Sequence, residues 1–230
     1  DVNQRKDDGA TALYSSSFNE HLKIVKRLLA VAGIQVNQAD EEGTTPLSMA
    51  CQNDHSKIVE MLLAVDAIQV NQADNDAVAP LWVACQEGHS KVIVMLLAVD
   101  DIQINQANNE EVTPLFMACQ GGHSKVVNML LAVDGIQVNQ ANNEGATPLS
   151  IASQEGHSKV VKMLLAADGI QVNQADEDGV TSLYMACEDG HSKVVEMLLA
   201  VDSIQVNQTE QEGCTPLWMA CQNGHSKVVK

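Results

Sequence analysis

The chain has 230 residues, is 45% apolar and carries a formal net charge of −17. That charge excludes a sequence-independent nucleic-acid binder, which needs Lys and Arg to displace counterions. No apolar run approaches the roughly 20 residues that span a bilayer, and no signal or transit segment is visible. The stretch opens at Asp1 and is expected to belong to a longer natural chain.

The seven histidines stand at 21, 55, 89, 123, 157, 191 and 225, always 34 residues apart. A fixed period of this length predicts a solenoid whose units stack on their neighbours. Six copies are predicted at about 5–38, 39–72, 73–106, 107–140, 141–174 and 175–208, with a truncated seventh at 209–230, in one domain spanning 1–230. The first copy departs from the rest: Ser15, Ser16 and Ser17 replace Met49-Ala50-Cys51, and Arg27 replaces Met61. It reads as a cap, because a terminal unit needs one polar face.

The fifth copy shows the unit most clearly. Thr147 caps a first helix and Pro148 suits its first position, where no N–H is needed. Leu149, Ile151 and Ala152 bury one face, and Gly156 stops the helix by a left-handed turn. A second helix is predicted from about Ser158 to Ala166, with Val160, Val161, Met163, Leu164 and Leu165 apolar. Helices this short are not stable alone, so stacking must supply stability. The stretch between copies has the turn residues of a hairpin-like loop. The seventh copy ends at Lys230, inside a predicted second helix.

A 34-residue period fits tetratricopeptide repeats too, but their Trp-Leu-Gly-Tyr pattern is missing. What recurs is T-P-L-x-x-A, then G-H-x-x-V-V-x-x-L-L, then V-N. Over essentially the whole chain this resembles the ankyrin repeat, with one extra residue in the loop Ala132 to Asn139. The resemblance implies an all-α dominated solenoid of stacked helix–turn–helix units with β-hairpin loops and a concave binding groove. It also implies that the Asn of V-N (3, 37, 71, 105, 139, 173, 207) ties the loops together, and it resembles sites that asparaginyl hydroxylases modify.

Several ladders look like chemistry. Stacked helices lie roughly 8–10 Å apart, too far for ladder histidines to share zinc, whose ligands lie within about 2.1 Å. Each His is expected to bond loop backbone at the helix–helix turn. Cys51, Cys85, Cys119, Cys187 and Cys221 share one small core position, too widely spaced for disulfides, and the expected compartment is reducing and intracellular, the cytoplasm. Cys214 alone is expected to be exposed. Met61, Met95, Met129, Met163 and Met197 read as packing, and the lysines at 57, 91, 125, 159, 193 and 227 as a solvated stripe. No nucleophile–base–acid set or glycine-rich phosphate loop appears, so neither catalysis, nor a metal, nor a cofactor is expected.

Variation among near-identical copies then marks candidate binding positions. The position after T-P-L reads Tyr14, Ser48, Trp82, Phe116, Ser150, Tyr184 and Trp218; Phe18 lies one turn after Tyr14. A packed core does not readily accept Ser and Trp interchangeably, so the position reads as groove-facing, with core as the alternative. Four residues earlier, Val78, Val112, Val180 and Cys214 accompany the aromatics, and Thr44 and Ala146 the serines. Two apolar patches follow, on copies three and four and on copies six and seven. In copies three and four the hairpin glycine becomes Ala77 and Glu111, and the capping Thr becomes Ala79. The hairpin tips are acidic, with Glu42, Asp76, Glu110 and Asp178 as candidate contacts. They form either a rim for a partner with Lys or Arg flanking apolar anchors, or a solvated edge. The expected function is non-catalytic recognition of a protein partner by a monomeric scaffold; the alternative is a regulatory or targeting module of a larger enzyme, channel or effector.

Overall fold

A computed structural model describes residues 1–229. Thirteen helices lie among the described residues, two in each of the first six copies and one in the seventh. They are α1 (Ala12–Phe18), α2 (Leu22–Leu29), α3 (Pro46–Gln52), α4 (Ser56–Leu63), α5 (Pro80–Gln86), α6 (Ser90–Leu97), α7 (Pro114–Gln120), α8 (Ser124–Leu131), α9 (Pro148–Gln154), α10 (Ser158–Leu165), α11 (Ser182–Glu188), α12 (Ser192–Leu199) and α13 (Pro216–Gln222). Residues 226–228, where a further second helix was expected, form a turn instead. Lys230 lies outside the described residues.

The odd helices start where the sequence places caps. The Oγ1 of Thr45, Thr113, Thr147, Thr181 and Thr215 accepts the N–H three residues on. In copy five Ser150 answers with its own hydroxyl, closing a capping box. Ala79 gives α5 no such bond, a loss worth about 0.5–2 kcal/mol of helix stability. Gly88, Gly122, Gly156 and Gly190 have positive φ and turn the chain into the following helix.

The chain divides into two compact units, residues 1–109 and 110–230. In the first, α1, α3 and α5 pack side by side, α2, α4 and α6 do likewise, and each odd helix packs on its own even partner. The second repeats this with α7, α9, α11 and α13 in one layer and α8, α10 and α12 in the other. Between the layers sit fully buried leucines (Leu47 and Leu81 in the first unit, Leu115, Leu149 and Leu183 in the second) together with the V-V and second-helix leucine positions.

The loops between copies are hairpin-like, but their arms are two residues long. Asp74 N–H donates to the Val78 carbonyl at 3.1 Å and Ala77 N–H to Asp74 at 3.1 Å. Among the described residues only Ala175 and Thr181 form a β-bridge. The V-N asparagines join copies as the resemblance implied: Asn139 Nδ2 donates to the Gly169 carbonyl at 2.8 Å, and its Oδ1 accepts from Gln171 N–H at 2.9 Å. Copy one is less cap-like than its serines suggested. Ser16 and Ser17 are buried, and Ile24, whose counterparts Ile58 and Val92 are fully buried, is 47% exposed.

Candidate functional site

The position after T-P-L does not face a groove in most copies. Trp82, Phe116 and Tyr184 are 9%, 6% and 7% exposed, and Ser48 and Ser150 are buried too. Val112 is buried; Val78 and Val180 are half-buried. The groove-facing expectation is therefore corrected for Trp82, Phe116, Tyr184 and Val112, which belong to the packed interior.

The tyrosines show what covers them. Burial, the Asp40 carboxylate that its hydroxyl hydrogen-bonds, and Glu42 nearby all raise the Tyr14 hydroxyl. Burial first, then Glu188, Glu210, Cys214 and Glu212, push Tyr184 up to about 12. Tyr14 and Tyr184 thus lie against the hairpin of the following copy, and Ser48, Trp82, Phe116 and Ser150 are buried at the same repeat position. Trp218, in the last copy of this sequence, has no such hairpin over it and is 50% exposed. Tyr14 is half-buried.

Exposure on the odd helices lies three residues beyond the next position, and only partly at that next position, where Val83 and Ile151 are buried. Met49, Met117, Met185 and Met219 are half-buried, and Gln52, Gln120, Gln154 and Gln222 are exposed. A helical wheel at about 100° per residue, centred on Leu47, Ala50 and Cys51, would have placed Met49 and Gln52 opposite the core.

The acidic tips are ordered by their own first residue. Asp40 Oδ1 accepts from Glu42 and Thr44 N–H at 3.1 and 2.8 Å. Asp74 holds Asp76 and Val78, and Asp176 holds Asp178 and Val180, in the same way. These first carboxylates are engaged in the turns, while Glu42, Asp76, Glu110 and Asp178 are exposed. Neighbouring tips are stitched together within each unit: Asn75 N–H donates to Glu42 at 3.0 Å, and Gln211 N–H to Asp178 at 2.9 Å. Copies three and four keep the turn without glycine, with Ala77 and Glu111 at φ 60° and 58°.

The histidines bond backbone, as expected, but in the preceding copy. His55 Nε2 lies 2.9 Å from the Phe18 carbonyl, His89 2.9 Å from Gln52, and His157 2.9 Å from Gln120. Among the described residues no group of three His, Cys, Asp or Glu side chains is arranged to hold a metal ion, and no helix is long and apolar enough to cross a membrane. Cys51, Cys85, Cys119 and Cys187 are buried; Cys221, expected to be buried with them, is exposed, and Cys214 is half-buried. Burial and the Glu210 carboxylate push the Cys214 thiol up, against its acting as a nucleophile. The methionines at 61, 95, 129, 163 and 197 are half-buried, and the lysine stripe is exposed.

No curated protein matches the chain. The family model for ankyrin repeats, three copies long, matches residues 1–74, 32–108, 65–142, 81–176 and 169–230. Ankyrin repeats generally serve as protein-interaction modules and are typically non-catalytic. With paired helices, stitched hairpins and family matches running from end to end, the chain belongs to the ankyrin-repeat family.

Proposed function

We propose that this chain is a monomeric, non-catalytic scaffold, spanning residues 1–230 and acting inside the cell, that binds a protein partner through its acidic hairpin tips. The observation that carries this reading is the tip geometry. Glu42 and Asp76 in one unit, and Glu110 and Asp178 in the other, are exposed carboxylates on turns fixed by hydrogen bonds within and between copies. A preordered edge loses little conformational entropy on binding, and carboxylates of one sign select a partner that presents Lys or Arg. Half-buried Val78, Val180 and Tyr14, the exposed Trp218, and the half-buried methionines of the odd helices supply apolar contact for residues flanking those charges. Tyr184 packs against the next tip, and the buried Trp82 and Phe116 are not contacts. The same surface would serve as the targeting part of a larger enzyme, channel or effector.

The test is parallel selection from a displayed peptide library. The baits are this chain, the Glu42→Gln, Asp76→Asn variant and the Glu110→Gln, Asp178→Asn variant. Ligands with apolar anchors beside Lys or Arg, weakened by salt and depleted by one variant or the other, are expected. Identical ligand sets from all three baits would place recognition away from the tips.

A further inference from the structure

A second surface lies on the even-helix layer, away from the tips. Between copies four and five a groove of about 570 Å³ opens between α8, α10 and the loops that follow them. Leu131, Val133, Ile136 and Met163 give it apolar surface, and Asn128, Asp134 and Asp168 line it as polar groups. Both carboxylates are exposed. Neither takes part in a hydrogen bond or ion pair with another described side chain. No Lys or Arg lines the groove.

The turn does not need these carboxylates. Copy one has Ala32 at this position. Its loop still closes by the same bond, Ile34 N–H to the Val31 carbonyl at 3.2 Å, as in Ile136 to Val133 at 3.3 Å. Yet Asp recurs at 134, 168 and 202 in the second unit. The ladder repeats with the stacking of the copies, roughly 8–10 Å per step for packed helices. A polyproline II segment advances about 9 Å per turn of three residues. A basic residue at every third position would therefore meet successive carboxylates while the residues between them lie on the apolar surface.

We propose that this groove docks an extended segment of a partner protein carrying Lys or Arg at every third residue. Each aliphatic stem packs on the apolar surface, and each cationic head reaches Asp134 or Asp168. Charge complementarity and the match of the two spacings select this occupant.

The probe is a fluorescent peptide of four Lys-Pro-Val repeats, compared by anisotropy with a peptide of the same composition whose lysines are consecutive. The proteins are the full chain, the Asp134→Asn, Asp168→Asn variant and the charge-matched tip variant Glu110→Gln, Asp178→Asn. Circular dichroism confirms that each is folded. The spaced peptide is expected to bind the full chain more tightly than the clustered one. The loop variant should lose about tenfold in affinity and the tip variant almost none. Equal binding of both peptides, equal weakening by both variants, weakening by the tip variant alone, or no binding would each overturn the proposal. Because the tip pair is a separate arm, failure of this groove leaves the tip reading standing.

Discussion

The Nε2 of His191 lies 2.7 Å from the backbone oxygen of Gln154, the last residue of α9 in the preceding copy. A carbonyl only accepts, so Nε2 carries the proton. The same ring closes over Gly156, where an added Cβ would come within 2.5 Å of Nδ1. Gly156 also has φ +70°, a region L residues rarely enter. We expect His191→Ala to cost about 0.5–1.5 kcal/mol, the net worth of the bond, because Gln154 is exposed and water can pair its carbonyl. Gly156→Ala should also destabilise, through both the backbone and the ring. In urea unfolding the double variant should lose less than the two single losses added together, because removing the ring removes the collision. Strict additivity would mean that the two do not touch.

The tips of copies three and four hold strain that the others avoid. Ala77 and Glu111 carry a Cβ at φ 60° and 58° where Gly43 and Gly145 stand at φ 84° and 83°. Left-handed backbone costs an L residue about 1–2 kcal/mol, part of it offset because glycine has more freedom to lose on folding. Ala77→Gly and Glu111→Gly should each stabilise by about 0.5–1 kcal/mol, read as a higher urea midpoint at unchanged slope. A lower midpoint would show that these side chains make compensating contacts.

Phe116 and Trp218 occupy one repeat position in opposite surroundings, 6% and 50% exposed. Phe116→Ser should cost about 3–5 kcal/mol, as large-to-small core changes do. Trp218→Ser should cost less than about 1 kcal/mol. Chemical denaturation followed by circular dichroism separates the two cases. Similar small losses would return Phe116 to the surface.

Both tyrosines of the chain report on the same burial. Tyr184 is pushed up to about 12, and Tyr14 is raised as well. A tyrosine whose folded pKa exceeds its unfolded value near 10 keeps its proton longer in the folded chain. The associated stability is fully present below about pH 10 and is lost as pH rises through about 12. Tyrosinate absorbance of the native chain should stay low near pH 10.5, where the urea-unfolded chain is mostly ionised. Overlapping titration curves would show the hydroxyls open to water.

Much of this architecture is legible in the sequence because its signals are local and repeated. Thr147, Pro148 and Gly156 act through their own backbone, so cap, start and stop fall where they are read. The partners of His157 and Asn139 lie 37 and 30 residues away, and the period supplies them. The aromatic position is not legible in this way, because interchange of Ser with Trp points to solvent. Tyr184 instead meets Cys214 and the acidic tip of the next copy, an interior spot whose size is set by two copies together. Nothing in copy six alone discloses that. The loop aspartates are hidden for the opposite reason: Asp134 and Asp168 sit at a position that hardly varies between copies.

The side-chain amide of Asn139 reaches residues 30 and 32 positions ahead, and Asn37, Asn71 and Asn173 make the same pair of reaches. Excising one whole period hands every remaining amide an equivalent receptor, and duplicating a period does the same. Recombination between copies therefore yields shorter or longer chains whose joints all close. Loss of a single codon's residue from a loop leaves one joint severed, with no neighbour able to mend it. A gene for such a molecule edits safely only in units of the link.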